Sequence, residues 1–374
     1  MAKILILGGG FGGVVAAERL AEQLGGEHQI TLVSRSRRFV FYPALVRLAF
    51  GKCSEADASF DLRESMLNRR INFIEAEVAR IDPVERTVTI AHGEIEGHLS
   101  YDYLVFALGR RLATERVKGF YEHAHHLLDV AKALNFGKAI TNLQEGRVVI
   151  GQCAGSRLPV PVYETAFALA RWLDEKGRRE RVSITVVTPD DMGAEFGAET
   201  SIALKHALNS HGIPFVPHFP VKLITKDAIF TADGQSLNFD LLMLLPPFQG
   251  SPAASCVGIT NPDGYVNVYS TMRVIGHDRI YAVGDCVNFS GPKMGHMAVR
   301  QAEVAAANLI AEIAGREPVA QYVHEMKLVI DEGGHESIFL HRDVETQEPG
   351  SMRQGNFWRW AKRAQQEYWE HSHS

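Results

Sequence analysis

The sequence is poor in the residues that announce a site by themselves. Its 374 residues include four cysteines, Cys53, Cys153, Cys256 and Cys286, which lie far apart with no CxxC pair. That spacing argues against a zinc site or a thioredoxin-type redox pair, and no metal site is expected. Buried free thiols are the default reading in a cytosolic protein. No apolar run reaches the roughly 18 residues of a membrane span. The opening MAKILILGGG is too short and too glycine-interrupted for a signal peptide and reads as a first strand, so residence in the cytoplasm is expected. Nor is there an excess of positive charge: 39 Lys and Arg face 44 Asp and Glu, which gives no hint of a nucleic-acid partner. What remains is an ordinary globular composition, long enough for two or three domains.

Strands and helices alternate from the start. Residues 3–7 form a short apolar run, 14–24 a helix pattern and 29–33 a second strand, which together make a βαβ unit with a parallel sheet. Residues 71–82 and 87–90 read as strands of a meander, and 103–107 as a fully apolar strand. A second βαβ unit follows at 147–150, 163–176 and 182–187. Later come an apolar run at 240–245, a strand at 279–283 and a helix at 296–313. Two such units predict an α/β fold with two Rossmann-like, doubly wound domains and a C-terminal cap.

Gly8-x-Gly10-x-x-Gly13 joins the first strand to the first helix. Gly8 permits the tight turn, Gly10 lets the backbone approach a pyrophosphate, and Gly13 lets the helix pack closely on the strand. The helix N-terminus offers free N–H groups and partial positive charge to phosphates, so Phe11 and Gly12 join the candidate cofactor contacts. The alternative is a glycine-rich turn with no ligand. At the end of the second strand, where an acid usually meets the adenosine ribose, Ser34 stands, followed by Arg35. Serine can still hydrogen-bond a ribose hydroxyl. Arg35 either pairs with a phosphate or belongs to a solvated basic cluster with Arg37 and Arg38.

Two further segments add specificity. Residues 100–109, ending in Ala107-Leu-Gly109, resemble the strand-plus-AxG motif of two-dinucleotide-binding-domain flavoproteins. Residues 279–285, ending in Gly284-Asp285, resemble their second motif. The resemblance implies FAD, with the Asp285 carboxylate on its ribityl chain and Pro43 and Val78 among the contacts. It also implies a discontinuous FAD domain, 1–110 and 257–318, with a second nucleotide-type domain at 111–256 and a cap at 319–374.

Gly291-Pro-Lys-Met-Gly-His-Met297 resembles the segment that covers the flavin pyrimidine edge in sulfide:quinone oxidoreductases and flavocytochrome c sulfide dehydrogenases, near the type II NADH dehydrogenases. Lys293, Met294 and Gly295 would then adjoin the flavin, where a lysine and a helix N-terminus stabilise negative charge. Residues 148–155 and Pro161-Val-Tyr-Glu164 also look like that family. The second nucleotide fingerprint is damaged, because Gln152, Cys153, Ala154, Ser156 and Arg157 stand around Gly151 and Gly155 where further glycines are needed. Tight NADH binding is therefore disfavoured.

The departure from the family is sharp. Its two catalytic cysteines align with Leu158 and Leu328, and its helper histidines fall near Val130 and Ala194. Leucine cannot form a persulfide or flavin adduct, since the thiolate is the nucleophile. Cys153, five residues upstream, is the candidate substitute; its bland reading is a small apolar filler, and Cys286 reads as packing. Glu164 has two readings. It is a proton carrier beside the flavin and quinone, its pKa raised by burial, or a helix-start carboxylate favouring the dipole.

The tail, residues 356–369, is rich in aromatics beside basic residues. Phe357, Trp358, Trp360, Ala361, Ala364, Tyr368 and Trp369 fall on one broad side, and Arg359, Lys362, Arg363, Gln366 and Glu370 on the other. That suits a monotopic interfacial helix holding the protein peripherally on the inner face of the cell membrane, or a helix packed on its own core or a second subunit of a homodimer. His371 and His373 read as frayed tail. The expected reaction is two-electron flavin redox, with an unidentified donor and a quinone or another small-molecule acceptor. The rivals are an NAD(P)H-dependent flavin or quinone reductase and a non-catalytic FAD-binding redox sensor.

Overall fold

The computed structural model of the chain describes residues 1–194, 196–255, 258–332, 336–344 and 350–373; Cys256 lies outside them. The larger sheet has the spatial strand order Ile280–Ala282, Tyr103–Phe106, Lys3–Leu7, Gln29–Ser34, Asn72–Asp82, Thr87–Gly93, Gly97–Ser100. The first five run parallel and the last two turn back as an antiparallel meander. Side chains alternate across a strand. Accordingly Ile4, Ile6, Tyr103, Val105 and Tyr281 enter one apolar cluster, while Leu5, Leu7, Leu104, Phe106 and Ile280 enter another. Both faces are dry, which is why these strands read as continuous apolar runs. Helix Phe11–Leu24, which starts three residues earlier than the pattern predicts, packs against helix Gly295–Ile313.

A second, smaller sheet carries Phe215–Val216, Val182–Val187, Gly146–Gln152 and Leu241–Leu245, all parallel. One face meets helix Val160–Glu175, whose Val162, Tyr163, Ala166, Phe167 and Ala170 recur at helical spacing and are buried. Pro161 sits in that helix's first turn, where no N–H is needed. The opposite face of this sheet carries a separate cluster that includes Val149, Leu242, Leu244 and Cys153.

The cap is an antiparallel sheet, Glu325–Asp331, Ser337–Asp343 and Ser351–Gln354, followed by helix Asn356–His373. This helix corrects the expected single aromatic side. Trp358 stacks on Phe339 at 3.9 Å, and Trp369 is 7% exposed between Phe11, Phe39 and Phe41. Phe357, Trp360 and Tyr368 stay out, at 63%, 66% and 69% exposed. At 100° per residue the two sets lie roughly a third of a turn apart, so a broad stripe on paper becomes a docking face and a free face. Lys362 and Gln366, read as lying on the side away from the aromatics, belong to the docking face: Gln366 accepts from Arg47 Nη1 at 2.8 Å and donates to the Asp57 carbonyl at 3.0 Å. His373 is not frayed. It is helical, with Nδ1 2.5 Å from Glu18 Oε2. The side chains of Arg359, Glu370 and His371 lie outside the described ones.

Candidate active site: glycine turn, Gly-Asp turn and tail helix

The strand Lys3–Leu7 ends where Gly8 takes φ +112°, a conformation side chains resist. A Cβ on Gly8 would lie 2.1 Å from the Ala107 carbonyl oxygen, and one on Gly13 would lie 1.8 Å from the Gly8 oxygen. These two glycines hold turn, helix and the neighbouring strand end in contact. Gly10 differs, because a Cβ there meets nothing within 4 Å. It caps the helix with open space in front of the first-turn N–H groups. A tight turn behind and a vacant approach in front is the shape a pyrophosphate needs, so these residues fit FAD. Gly12 packs under Val283, where a Cβ would come within 2.9 Å of Cγ2.

Ser34 is buried, and its hydroxyl donates to the Ser36 carbonyl at 2.8 Å, closing the loop after the second strand. Arg35 is exposed. Val78 packs partly buried against the cluster of Leu7 and Phe106, in the meander. Ala107 and Gly109 (φ +65°) follow the neighbouring strand, and Gly284 (φ +82°) turns Asp285 towards them. Asp285 forms an ion pair with Arg110, a partner the sequence reading missed. Arg110 follows Gly109 directly, lies over the Phe248 ring at 4.2 Å and has a buried Nε with no hydrogen-bond partner. That orphaned donor beside the Gly-Asp turn is a second feature fitting a bound cofactor.

Lys293 is 6% exposed and donates to the Val287 carbonyl. Burial, then Arg157, brings its pKa down to about 7. Met294 caps helix Gly295–Ile313, and Gly295 lies against the Phe11 ring, 3.2 Å from where its Cβ would be. Lys293, Met294 and the Gly284–Asp285 turn line one small cavity, which brings two of the three predicted pyrimidine-edge residues beside that turn.

Cys153 is elsewhere. Fully buried on the opposite face of the second sheet, its thiol is pushed up to about 12 by desolvation. Burial and a raised thiol pKa both match the packing reading of Cys153 better than the nucleophile reading. Cys286 is likewise buried and pushed up to about 12. Leu158 and Leu328 both pack in the main apolar cluster.

A larger cavity of about 290 Å³ lies between the segment 41–50, helix Val160–Glu175 and the tail helix. Phe41, Pro43, Val46, Phe50, Ala168 and Trp172 supply apolar wall, and nine polar or charged residues, Glu164, Lys362 and Gln366 among them, supply the rest. Phe41 also touches the Phe11 ring beside the glycine turn, with centroids 5.7 Å apart. Glu164 is 6% exposed; its Oε1 accepts from Asp331 N–H at 2.9 Å and from Lys362 Nζ. Burial raises the Glu164 pKa, outweighing the pull of Lys362 and the Asp331 N–H in the other direction.

Since its folded pKa is raised, Glu164 favours the fold most at low pH, and that contribution is lost as pH rises through the folded value. Lys362→Met strips the counter-charge, so its stability deficit should be larger at alkaline pH than at acidic pH, reaching about 3–5 kcal/mol. Urea unfolding at an acidic and an alkaline pH measures it. An equal deficit at both would show that Glu164 is not the titrating partner.

Comparison with known proteins agrees with this geometry. The model of the pyridine nucleotide-disulphide oxidoreductase family matches residues 2–302. The sulfide-quinone reductase of Aquifex aeolicus is 29% identical over 337 residues, 84% of this chain and 77% of that protein. The X-ray structure of the sulfide:quinone oxidoreductase from that bacterium superposes with TM-score 0.92 at 26% identity, over 99% of this chain and 90% of the other. A type II NADH:quinone oxidoreductase of Staphylococcus aureus is 23% identical over 363 residues, 90% of this chain and 89% of that one. With glycine turn, AxG strand and Gly-Asp turn assembled on one sheet, the chain belongs to the pyridine nucleotide-disulphide oxidoreductase family, in its sulfide:quinone oxidoreductase-like branch, and is an FAD-dependent oxidoreductase.

Proposed function

We propose that the chain reduces a quinone, taking electrons from a donor other than sulfide. The observation that carries this is the Glu164–Lys362 pair in the wall of a cavity that joins an apolar side to a charged one, next to the glycine-turn aromatics. FAD, when bound, accepts two electrons from one substrate and passes them to another. Gly8, Gly10, Phe11, Gly12 and Gly13 would hold its pyrophosphate, Ser34 its ribose, Asp285 with Arg110 its ribityl chain, and Lys293, Met294 and Gly295 its pyrimidine edge. This site uses residues 1–110 and 257–318 as one FAD domain. A quinone ring in the cavity places its oxygens near Glu164, whose raised pKa keeps a proton available, while Lys362 stabilises the carboxylate left after transfer. Leu158 and Leu328 leave no thiol for sulfide chemistry.

A hydride donor is the second reading, favoured by the likeness to type II NADH:quinone oxidoreductases. Against it, a Cβ on Gly151 would lie 2.3 Å from the Val187 carbonyl oxygen, so this glycine serves strand packing, and Gln152 and Cys153 fill the turn with buried side chains. Anaerobic mixing with NADH, NADPH and sulfide, followed at the flavin absorbance, separates the readings. No fast bleaching by any of the three is expected, and rapid bleaching by a nicotinamide would establish the second. With photoreduced protein, a short-chain quinone should restore the flavin absorbance, and Glu164→Gln should slow that by about 10²–10⁴-fold. No response to quinone in the unsubstituted protein would leave a redox sensor or binding protein.

No helix among the described residues is long and apolar enough to cross a membrane. The free face of Phe357, Trp360 and Tyr368 suits peripheral attachment, which would bring the cavity to membrane-dissolved quinone. A homodimer through the same face is the competing use.

A further inference from the structure

Lys293 is held by a residue with no part in the flavin motifs. Arg157 lies in the loop after strand Gly146–Gln152, one residue before Leu158. Its Nε donates to the Gly291 carbonyl at 2.8 Å and its Nη2 to the Phe289 carbonyl, while its own carbonyl accepts the Lys293 N–H at 2.6 Å. The same Tyr265 ring lies beneath both cations, with Lys293 Nζ 4.8 Å and the Arg157 guanidinium 5.4 Å from its centroid. A fork fixed at two carbonyls and a backbone bond at the third point leave the segment 289–293 little freedom.

Resting on the reading that Lys293 adjoins the flavin, we propose that Arg157 is a positioning residue for Lys293, tying it to the second sheet and opposing its positive charge through the shared aromatic ring. Two like charges on one ring in a dry site repel, and the proton on lysine is the one that can leave. The lowered pKa of Lys293, about 7, agrees, with Arg157 second only to burial among its causes. The other groups facing Lys293 are Asp285 and Cys286 on the Gly-Asp turn, Arg110 on the strand Arg110–Leu112, His324 in the wall of the same small cavity, and Tyr265 itself; Asp285 and Cys286 raise the lysine pKa, and Arg110 lowers it.

The test is the flavin midpoint potential against pH, by spectroelectrochemistry of the FAD-loaded protein. A change of slope near pH 7 is expected from Lys293. Lys293→Met should erase it. Arg157→Gln, which keeps an amide donor for the Gly291 carbonyl but removes the charge, should move the break up by about one pH unit. Arg157→Lys, which keeps charge and loses the fork, should leave it within about half that shift. If Lys293→Met erases the break while Arg157→Gln leaves it in place, or if Gln and Lys shift it equally, this role for Arg157 is wrong. If Lys293→Met changes nothing, the lysine does not adjoin the flavin and the underlying reading falls. Should Arg157→Gln bind no FAD, the placement of the break in Arg157→Lys decides: a shift of a full unit there overturns the charge argument.

Discussion

Gly13→Ala is expected to yield a destabilised protein that no longer retains FAD, whereas Gly10→Ala should fold normally and lose FAD alone. At Gly13 a methyl group would meet the Gly8 carbonyl oxygen at 1.8 Å and its carbon at 3.0 Å, both backbone atoms that side-chain rotation cannot relieve. The start of helix Phe11–Leu24 must lift off the strand, a strain of about 1–3 kcal/mol or more. That shift also displaces the first-turn N–H groups from the place a pyrophosphate would occupy. At Gly10 the methyl group meets no protein atom within 4 Å. It would intrude on the ligand, weakening FAD binding by about a hundredfold, or ~2.7 kcal/mol. Melting the apoproteins and titrating each with FAD measures both effects. A Gly10→Ala protein that binds FAD as tightly as the unsubstituted chain would mean that the turn is not the cofactor cradle.

A comparable effect is expected from Trp369→Ala, and none on stability from Trp360→Ala. Trp369 is 7% exposed and packs on Phe11 with centroids 4.8 Å apart and on His373 at 3.9 Å. Its removal should cost about 3–5 kcal/mol and loosen the tail helix, carrying Lys362 away from Glu164. Faster cleavage within residues 356–373 under limited proteolysis, with a lowered Tm, is the expected signature. Trp360, 66% exposed, touches little of the fold, so Trp360→Ala should leave Tm unchanged and weaken sedimentation with anionic liposomes. Unchanged liposome binding would remove the attachment surface; a large fall in Tm would show that the exposed face is covered by a second subunit.

The alternation of strands and helices made the α/β class legible, and the three flavin motifs were readable because their spacing is local. Gly8, Gly10 and Gly13 lie within one turn, Ala107 and Gly109 end one strand, and Gly284 and Asp285 end another. Each is dictated by backbone sterics that six residues suffice to show. Lys293 was legible only through the resemblance of residues 291–297 to the segment that covers the flavin in the sulfide:quinone oxidoreductase family. Glu164 was singled out with two readings; the structure adds its burial, the Asp331 N–H and the Lys362 partner, none of which its sequence position shows.

Arg110, Arg157, Lys362 and Trp369 carry no such signal. Arg110 meets Asp285 across 175 positions, and Lys362 meets Glu164 across 198. Periodicity in the tail could sort apolar from polar residues, yet it could not say which side would dock. It therefore joined Trp369 to Trp360 and set Lys362 on the opposite side. Cys153 shows the same limit in reverse: five positions from Leu158 in the chain, it stands on the opposite face of the sheet, where desolvation keeps its thiol protonated. The sequence by itself determined that this chain builds a dinucleotide cradle, because that cradle is made of local backbone shape, and the resemblance of its AxG and Gly-Asp segments narrowed the ligand to FAD. Only the tertiary structure decided which charges meet around it and what closes the neighbouring cavity, because long-range pairing depends on how the strand faces and the tail helix pack.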